Sequence, residues 1–300
     1  MSSQLFQVGG LGYSLPLSED YPFLERESDW FRPFCRCPPS WDSGDELHLT
    51  IEPLDGNEST VGFDRVLEHK GKTHILKGDG VYRIQSYADY VCRELEWTTQ
   101  FGVGLDRVIT RTTELVRENG STFLPGIGIY PHFRFILPWH LATRDGLWVH
   151  CAGAVRNGRF FLLAGRSGRG KSTLARILQD SGHFQVSSDE VNVVRMYRGT
   201  ITGFGTPWYS SAQLTHNISG PVKGLFFLEH ARENCIAPMS KGEALQRMLK
   251  QVFLPWFDEP TLQRILSTLE TVVQSIPCWT LGFRPDEAVA GSLAEFADGL

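Results

Sequence analysis

One stretch of the chain combines glycines, a lysine and a serine at the spacing of a phosphate-binding loop, Gly-x-x-x-x-Gly-Lys-Ser. The glycines let the backbone turn so tightly that several N–H groups point at one centre. The lysine can reach the β- and γ-phosphates of a nucleotide, and the serine hydroxyl can ligate Mg²⁺. The predicted nucleotide site consists of Gly165, Arg166, Ser167, Gly168, Arg169, Gly170, Lys171 and Ser172, followed by Thr173.

The residues on either side of this phosphate loop (165–172) supply the elements that such a loop needs. Residues 159–164 form a short apolar run typical of a buried strand. Leu174, Ile177 and Leu178 then recur at helical spacing, and Gly182 stands where a helix C-terminal glycine belongs. Strand, loop and helix in this order predict a phosphate cradle at the positive end of a helix. The motif predicts nucleotide binding and leaves the reaction open.

Two carboxylates, Asp189 and Glu190, follow the next predicted strand, 184–188. In an α/β sheet the carboxyl end of a strand that neighbours the phosphate-loop strand lies beside the phosphates. One carboxylate can hold Mg²⁺, and the other can accept a proton from an attacking hydroxyl. The alternative interpretation is a solvated acidic turn. His150 lies on a strand predicted beside the phosphate loop, where it either contacts the γ-phosphate and metal site or is a structural histidine.

The composition is that of a globular protein and excludes several classes of partner. Of 300 residues, 41% are hydrophobic and 12% aromatic, which allows a sizeable core. The net charge of -5 gives no general attraction to nucleic acid or to an anionic membrane. No apolar run approaches the ~20 residues that span a bilayer. The first residues lack a basic and then apolar pattern, so we expect no secretory signal.

The cysteines are too dispersed for a disulfide scaffold and, with a nucleotide site, predict a reducing, cytoplasmic location. Cys35 and Cys37 are close in sequence. A metal site there would need further ligands at suitable spacing, and none is evident nearby. We interpret both as ordinary thiols.

The patterning predicts an N-terminal β-rich domain over residues 1–132 and an α/β domain over residues 133–300. In the first domain we expect a half-buried strand where polar and apolar residues alternate, a hairpin and a β-branched strand. These elements are predicted at residues 46–52, at 74–76 paired with 81–84, and at 108–113, with the region 86–100 left ambiguous.

In the second domain we expect a helix over 133–143, with Pro138 near its start or kinking it. A strand over 148–155 should turn at Asn157-Gly158, a strong hairpin signal, into the strand before the phosphate loop. Further strands are predicted at 225–228 and 279–283, and helices after Ser240, over 262–273 and over 286–297.

A glycine- and proline-containing aromatic segment, 203–208, is predicted to be a rigid loop. Thr206, Pro207 and Trp208 of this loop are candidates for an acceptor pocket. A packed tight turn without a binding role is the other interpretation.

These residues together resemble a known family. His150 ahead of the phosphate loop, the Gly-Lys-Ser-Thr run, and the Gly182-His183 step into a strand that ends in two acids are similar to HPr kinase/phosphorylase and its relatives. The resemblance covers about residues 146–200 well and extends more loosely through Thr206-Pro207-Trp208 and the segment 281–286. It implies a P-loop kinase core with a fold like that of phosphoenolpyruvate carboxykinase.

The resemblance also implies roles for individual residues. Lys171 and Ser172 would hold phosphate and Mg²⁺, and Asp189 would be the general base near the acceptor hydroxyl. Glu190, where the family usually has a second aspartate, would belong to the metal site, and His150 would lie near the phosphate. The family's relatives assemble as homo-oligomers, which no residue pattern here establishes.

Two departures from the family bear on the acceptor. The later Glu-x-Arg-Gly segment of the family is not found, and residues 1–132 do not resemble its regulatory domain. Both favour a kinase with an acceptor other than HPr. We therefore expect ATP and Mg²⁺ as cofactors and a hydroxyl group of a peptide, protein or small molecule as acceptor. The alternative is a nucleotide-gated binding protein whose N-terminal domain recognises a partner. A third hypothesis is a degenerate scaffold that does not bind ATP.

Overall fold

The computed structural model describes residues 3–16, 33–35, 46–54, 58–88, 94–102, 104–105, 107–113, 116–118, 121–123, 133–166 and 168–300. Cys37 and Ser167, which the sequence singled out, lie outside these residues, as do parts of the ambiguous region 86–100. The chain divides into two compact units, Met1–Ile136 and Leu137–Leu300. Both carry large sheets, and the fold is mixed α/β.

The first unit is built on an eight-stranded sheet in the order β1-β2-β3-β8-β7-β6-β5-β4. A two-stranded ribbon, β9 with β10, accompanies it. The strands are β1 Ser3–Val8, β2 Leu11–Pro16, β3 Glu46–Pro53, β4 Asp64–His69, β5 Thr73–Lys77, β6 Val81–Tyr87, β7 Leu95–Gly102, β8 Val108–Thr112, β9 Val116–Glu118 and β10 Ser121–Phe123.

The alternating and β-branched segments of this unit form the predicted strands. β3 covers the predicted strand 46–52, and β8 covers most of the β-branched run. β5 and β6 pair antiparallel across a turn that contains Gly80 at φ 67°, which confirms the predicted hairpin. The part of the ambiguous region from Leu95 onward is β7, which pairs with β6 and β8.

The second unit contains a nine-stranded sheet whose main path is β11-β15-β16-β17-β13-β12-β14, with β19 beside β17 and β18 beside β19. β13 runs parallel to β17, and β17 runs parallel to β19. The strands are β11 Gly146–Val149, β12 Cys151–Arg156, β13 Arg159–Ala164, β14 Gln185–Ser188, β15 Asn192–Tyr197, β16 Thr200–Phe204, β17 Ser219–His230, β18 Cys235–Pro238 and β19 Cys278–Phe283.

The apolar stripes of the helices build separate clusters with the sheet residues. Leu174 and Leu178 of the phosphate-loop helix share a buried cluster with Leu163 of β13 and Leu293 of the C-terminal helix. The two helices between residues 241 and 275 contribute to a different cluster, which contains Leu162 of β13. Leu162 and Leu163 alternate along one strand, so these clusters lie on opposite faces of the sheet. The helices are α1 Phe133–Ala142, α2 Lys171–Asp180, α3 Lys241–Met248, α4 Glu259–Ser275 and α5 Ala288–Asp298.

Strand order at the phosphate-loop end differs from the expectation. The sequence predicted that the strand before Asp189 neighbours the phosphate-loop strand, but β12 lies between β13 and β14 and pairs antiparallel with both. β13 and β14 therefore run in the same direction, and their carboxyl ends meet the amino end of β12 at one edge. The predicted edge of the sheet is correct. The predicted neighbouring strand is wrong, because strand order depends on pairing between residues far apart in the sequence.

Three local predictions also need correction. The single strand predicted over 148–155 is broken at His150, where β11 leaves to pair with β15 and β12 begins beside β13. The predicted loop 203–208 begins inside β16, because Phe204 pairs with Val193. Pro138 lies in the middle of α1, which rules out a position near its start and leaves the other predicted alternative, a kink. Within the described residues, no helix is long and apolar enough to cross a membrane.

Candidate functional site

The phosphate loop lies between the end of β13 and the start of α2, as the motif predicted. The hairpin before it is tight because Asn157 and Gly158 adopt φ of 51° and 72°, both in the left-handed region. Gly168 and Gly170 in the loop have φ of 80° and 81°. A Cβ on Gly170 would also stand 2.9 Å from the Phe283 ring. Glycine at this position is therefore required both by backbone conformation and by space.

The first N–H groups of α2 face the loop without a competing side chain. Gly170 is the N-cap residue and makes no side-chain cap hydrogen bond. Arg169 N donates to Arg166 O at 3.1 Å, which closes the turn of the loop. A helix start whose N–H groups lack side-chain acceptors is a suitable place for an anion, because the donors and the helix dipole both favour negative charge.

Lys171 is held inside the site, with 8% of its surface exposed. Its Nζ donates to Gly165 O at 2.8 Å, at the first residue of the loop. Burial lowers the pKa of Lys171 below its ordinary value, and the nearby groups of Cys151 and Glu190 oppose that effect. Lys171 is thus a buried cation within electrostatic range of Glu190.

Asp189 is completely buried, and the loop after Trp208 surrounds its carboxylate. Ser210 N donates to Oδ1 at 2.9 Å, and Ala212 N donates to Oδ2 at 3.0 Å. Leu214 N makes a longer contact to Oδ1 at 3.4 Å. Because a carboxylate has about four acceptor sites, one site on Oδ2 is left after these contacts. Asp189 therefore fixes the 210–214 backbone and still lines the cavity described below.

Glu190 and His150 face one another beside the loop. His150 Nδ1 lies 3.8 Å from Glu190 Oε1, a distance that becomes an ion pair when the imidazole is protonated. Their side chains are 40% and 23% exposed, so both are more accessible than Asp189. The backbone holds each residue in place: His150 N donates to Gln251 O at 2.7 Å, and Glu190 N donates to Ser188 Oγ at 3.1 Å.

A cavity of about 450 Å³ brings the predicted residues together. The phosphate loop, the start of α2, the acid pair and His150 form most of its wall, and the 210–211 backbone closes one side. The lining residues are His150, Gly168, Gly170, Lys171, Ser172, Thr173, Asp189, Glu190, Ser210 and Ser211. Gly165, Arg166 and Arg169 line a second cavity instead.

The oxygen donors of this first cavity suit Mg²⁺ better than a transition metal. The described residues contain no group of three or more His, Cys, Asp or Glu side chains that could hold a metal ion. Mg²⁺ does not need such a cage, since it is commonly held by one or two protein oxygens together with phosphate and water. The Ser172 hydroxyl and the Glu190 carboxylate line the same cavity and would fit that role.

Thr206, Pro207 and Trp208, the candidate acceptor residues, are all buried. Thr206 Oγ1 donates to Val191 O at 2.6 Å, and Trp208 contacts the Trp148 ring edge-on with centroids 5.0 Å apart. These contacts describe a packed turn that supports the loop. The residues of this loop that line the cavity are Ser210 and Ser211, for which no sequence pattern predicted a role.

Gln251 is a further residue that the sequence analysis missed. It is buried, and it follows α3 at the point where Val252 bridges to Val149. Its neighbours His150 O and Gly165 O can only accept hydrogen bonds, so the amide nitrogen must face them, at 2.9 and 3.2 Å. Gln251 therefore connects the backbone of His150 to the first residue of the phosphate loop. Its position after a helix carries no local signal of this role.

The family match lies almost wholly in the second unit. A family model described as "SynChlorMet cassette protein ScmC" matches residues 134–282. No curated protein matches the chain. A solved structure described as the Hpr(Ser) kinase/phosphatase from Coxiella burnetii aligns at 11% identity over 51% of this chain and 88% of its own, with a TM-score of 0.30. That score is too low to establish a common fold. The chain is thus similar to the ScmC family over residues 134–282, and its fold is mixed α/β.

Proposed function

We propose that the second unit is an ATP-dependent kinase with a P-loop core, which transfers the γ-phosphoryl group to a hydroxyl. One observation supports this most strongly: Lys171, Ser172 and the Asp189–Glu190 pair line one cavity at the start of α2. Phosphoryl transfer needs a phosphate cradle, metal-binding oxygens and a group that receives the acceptor proton. The residues of this cavity can supply all three.

In this proposal, the loop N–H groups and Lys171 bind the phosphate chain of ATP. Mg²⁺, held by Ser172 and Glu190 with phosphate oxygens, would neutralise charge on the β- and γ-phosphates when bound. The acceptor oxygen forms a bond to the γ-phosphorus, and the bond from that phosphorus to the β–γ bridging oxygen breaks. ADP leaves with the electron pair, and the acceptor proton passes to Asp189 through the remaining site on Oδ2.

His150 has a supporting part in this scheme. Its imidazole lies 3.8 Å from the Glu190 carboxylate and lines the same cavity. A protonated His150 would orient Glu190 and add positive charge beside the phosphates. Asp189 keeps the orientation of its carboxylate because the 210–214 backbone N–H groups hold it.

The experiment compares ATP binding with phosphotransfer. The wild-type protein should bind Mg²⁺·ATP by calorimetry and move label from γ-³²P-ATP to an acceptor in clarified lysate. Asp189→Asn should still bind Mg²⁺·ATP and should lose transfer by a factor of about 10² or more. Glu233→Gln, a change at an exposed turn, is the matched control. Full transfer by Asp189→Asn would contradict the role of Asp189, and absence of Mg²⁺·ATP binding would overturn the kinase proposal.

A nucleotide-gated binding module is the second candidate, and one observation favours it. The Asp189 carboxylate already accepts hydrogen bonds from the 210–214 loop, so events at the phosphate loop have a direct structural connection to that loop. Such a module would hydrolyse ATP in the presence of its partner without forming a phosphorylated product. Measuring the amounts of free phosphate and of labelled acceptor separates the two candidates, because only the kinase produces labelled acceptor.

A further inference from the structure

A second cavity, of about 400 Å³, lies on the other side of the phosphate loop. Its wall includes the first part of the loop, the end of β17 and one face of α3 with the residues that follow it. Phe227 and Leu228 give it an apolar floor, and charged side chains surround the opening. Gly165 and Arg169 belong to this wall, whereas Gly168 and Gly170 belong to the first cavity, so one loop separates the two.

The charges around this second cavity do not cancel. Arg247 is paired with two carboxylates, Glu229 and Glu243, both at 2.7 Å. Arg166, Arg169 and Lys250 also line the cavity and are exposed. Within the described part of the chain, the side chains of these three cations make no hydrogen bond or ion pair. Four cations against two carboxylates leave an excess of positive charge at the opening.

The proposed function already accounts for the phosphates of ATP, and they do not need these cations. The backbone from Gly168 to Thr173, together with Lys171, lines the first cavity and forms the phosphate cradle there. The nucleoside part of ATP is neutral, so its base can stack on a guanidinium group but leaves the charge of these three cations unneutralised. The molecule that remains in a kinase reaction is the acceptor.

We propose that the acceptor is a hydroxyl compound that also carries carboxylate groups, which Arg166, Arg169 and Lys250 bind in this second cavity. This inference rests on the proposed kinase function and specifies its substrate class. Guanidinium groups bind carboxylates in bidentate geometry, and Lys250, which follows α3, adds a compact charge. For transfer, the hydroxyl of a ligand held there has to reach the first cavity, which shares the phosphate loop with the second.

The carboxylates can belong to an acidic peptide or to a small hydroxy acid, and the test includes both. A fluorescent peptide with serine between glutamates, its counterpart with serine between lysines, and malate are the probes. Binding of the peptides is measured by anisotropy and binding of malate by titration calorimetry, each with and without Mg²⁺ and a non-hydrolysable ATP analogue. Lys250→Gln is the test variant because this exposed residue lies outside the phosphate loop. Lys223→Gln removes an exposed charge that lines neither cavity and is the control.

We expect the glutamate peptide or malate to bind, the lysine peptide to fail, and Lys250→Gln to weaken binding about 3- to 10-fold. Binding by the peptide alone identifies a peptide acceptor, and binding by malate alone identifies a small molecule. The inference is overturned if neither anion binds, if Lys250→Gln and Lys223→Gln behave alike, or if the ATP analogue displaces the bound anion. Mg²⁺·ATP binding is measured separately, so failure of the kinase proposal is distinguishable from failure of this one.

Discussion

Lys171 Nζ donates a hydrogen bond to Gly165 O at 2.8 Å, so the cation of the phosphate loop is tied to the first residue of its own loop. Lys171 has three N–H donors, so it keeps this carbonyl on binding a phosphate only if both acceptors lie within reach of one ammonium group. Gly165 is buried, and a buried carbonyl that loses its donor costs about 1–3 kcal/mol. Gln251 also donates to Gly165 O, at 3.2 Å, and can satisfy it when Lys171 moves.

Replacing Gln251 should therefore weaken nucleotide binding through Lys171. We expect Lys171 to turn from Gly165 O toward the phosphates, and Gln251→Leu then leaves Gly165 O without a donor in the bound state, which should raise the Kd for Mg²⁺·ATP by about tenfold. Titration calorimetry measures the Kd, and Gln185→Leu, at an exposed position on β14, is the control. In a Lys171→Met background the effect of Gln251→Leu should vanish, because without Lys171 nucleotide binding no longer changes the donors to Gly165 O. An equal effect in both backgrounds would refute the coupling.

We expect substitution of Asp189 to lower the free energy of unfolding and substitution of Glu190 to leave it nearly unchanged. Asp189→Asn places an amide N–H₂ against backbone N–H donors, and we expect it to lower the free energy of unfolding by about 2 kcal/mol. Glu190→Gln changes a partly exposed carboxylate and should leave stability nearly unchanged while it reduces phosphotransfer. Urea denaturation of both variants checks this. Equal midpoints for Asp189→Asn and wild type would show that the 210–214 loop does not depend on this carboxylate.

Gly153 in β12 is a packing constraint behind the site. A Cβ at this position would crowd Ser187 Oγ and stand 2.7 Å from both Asn192 Oδ1 and Phe160 Cζ. Ser187 and Asn192 are hydrogen-bonded to each other at 2.6 Å, so neither can move without loss. We expect Gly153→Ala to cost about 2–3 kcal/mol in urea unfolding.

The control for that substitution is Gly242→Ala in α3. A Cβ on Gly242 meets nothing within 4 Å, and alanine has the higher helix propensity. Its stability should equal or slightly exceed that of the wild type. A Gly153→Ala protein as stable as Gly242→Ala would show that β12 can move away from Ser187.

Cys151 should make the protein less stable at alkaline pH. Burial raises the pKa of this thiol from its ordinary value of 9.0 to about 12. Between these values the unfolded chain releases the proton and the folded chain keeps it, so the stability contributed by the neutral thiol is present below pH 9 and is lost as pH rises. In this range the free energy of unfolding falls by about 1.4 kcal/mol per pH unit. Measured by urea unfolding from pH 8 to 10, the free energy of unfolding of Cys151→Ala should fall less with pH than that of the wild type. Cys235→Ala, at an exposed position, should fall as steeply as the wild type.

Local signals in the sequence determined the parts of this protein that depend on a few consecutive residues. The glycines of the phosphate loop, the hairpin at Asn157-Gly158 and the cap at Ser240 each act through neighbours in the chain. Ser240 Oγ accepts from Glu243 N at 3.3 Å, as the Ser-x-x-Glu pattern predicted. These elements could be predicted because backbone conformation and nearest hydrogen bonds decide them.

Contacts between residues that are distant in the sequence determined the strand order and the surroundings of the site. β12 lies between β13 and β14, and the chain breaks at His150 because its N–H pairs with Gln251, about a hundred residues later. The amide partners of Asp189 also come from a loop some twenty residues away in the chain. Periodicity and turn residues carry no information about which distant strand or carbonyl a group will meet, because that choice is made by packing of the whole sheet. The sequence thus predicted which residues would bind phosphate, and the tertiary structure alone decided which groups lie around them.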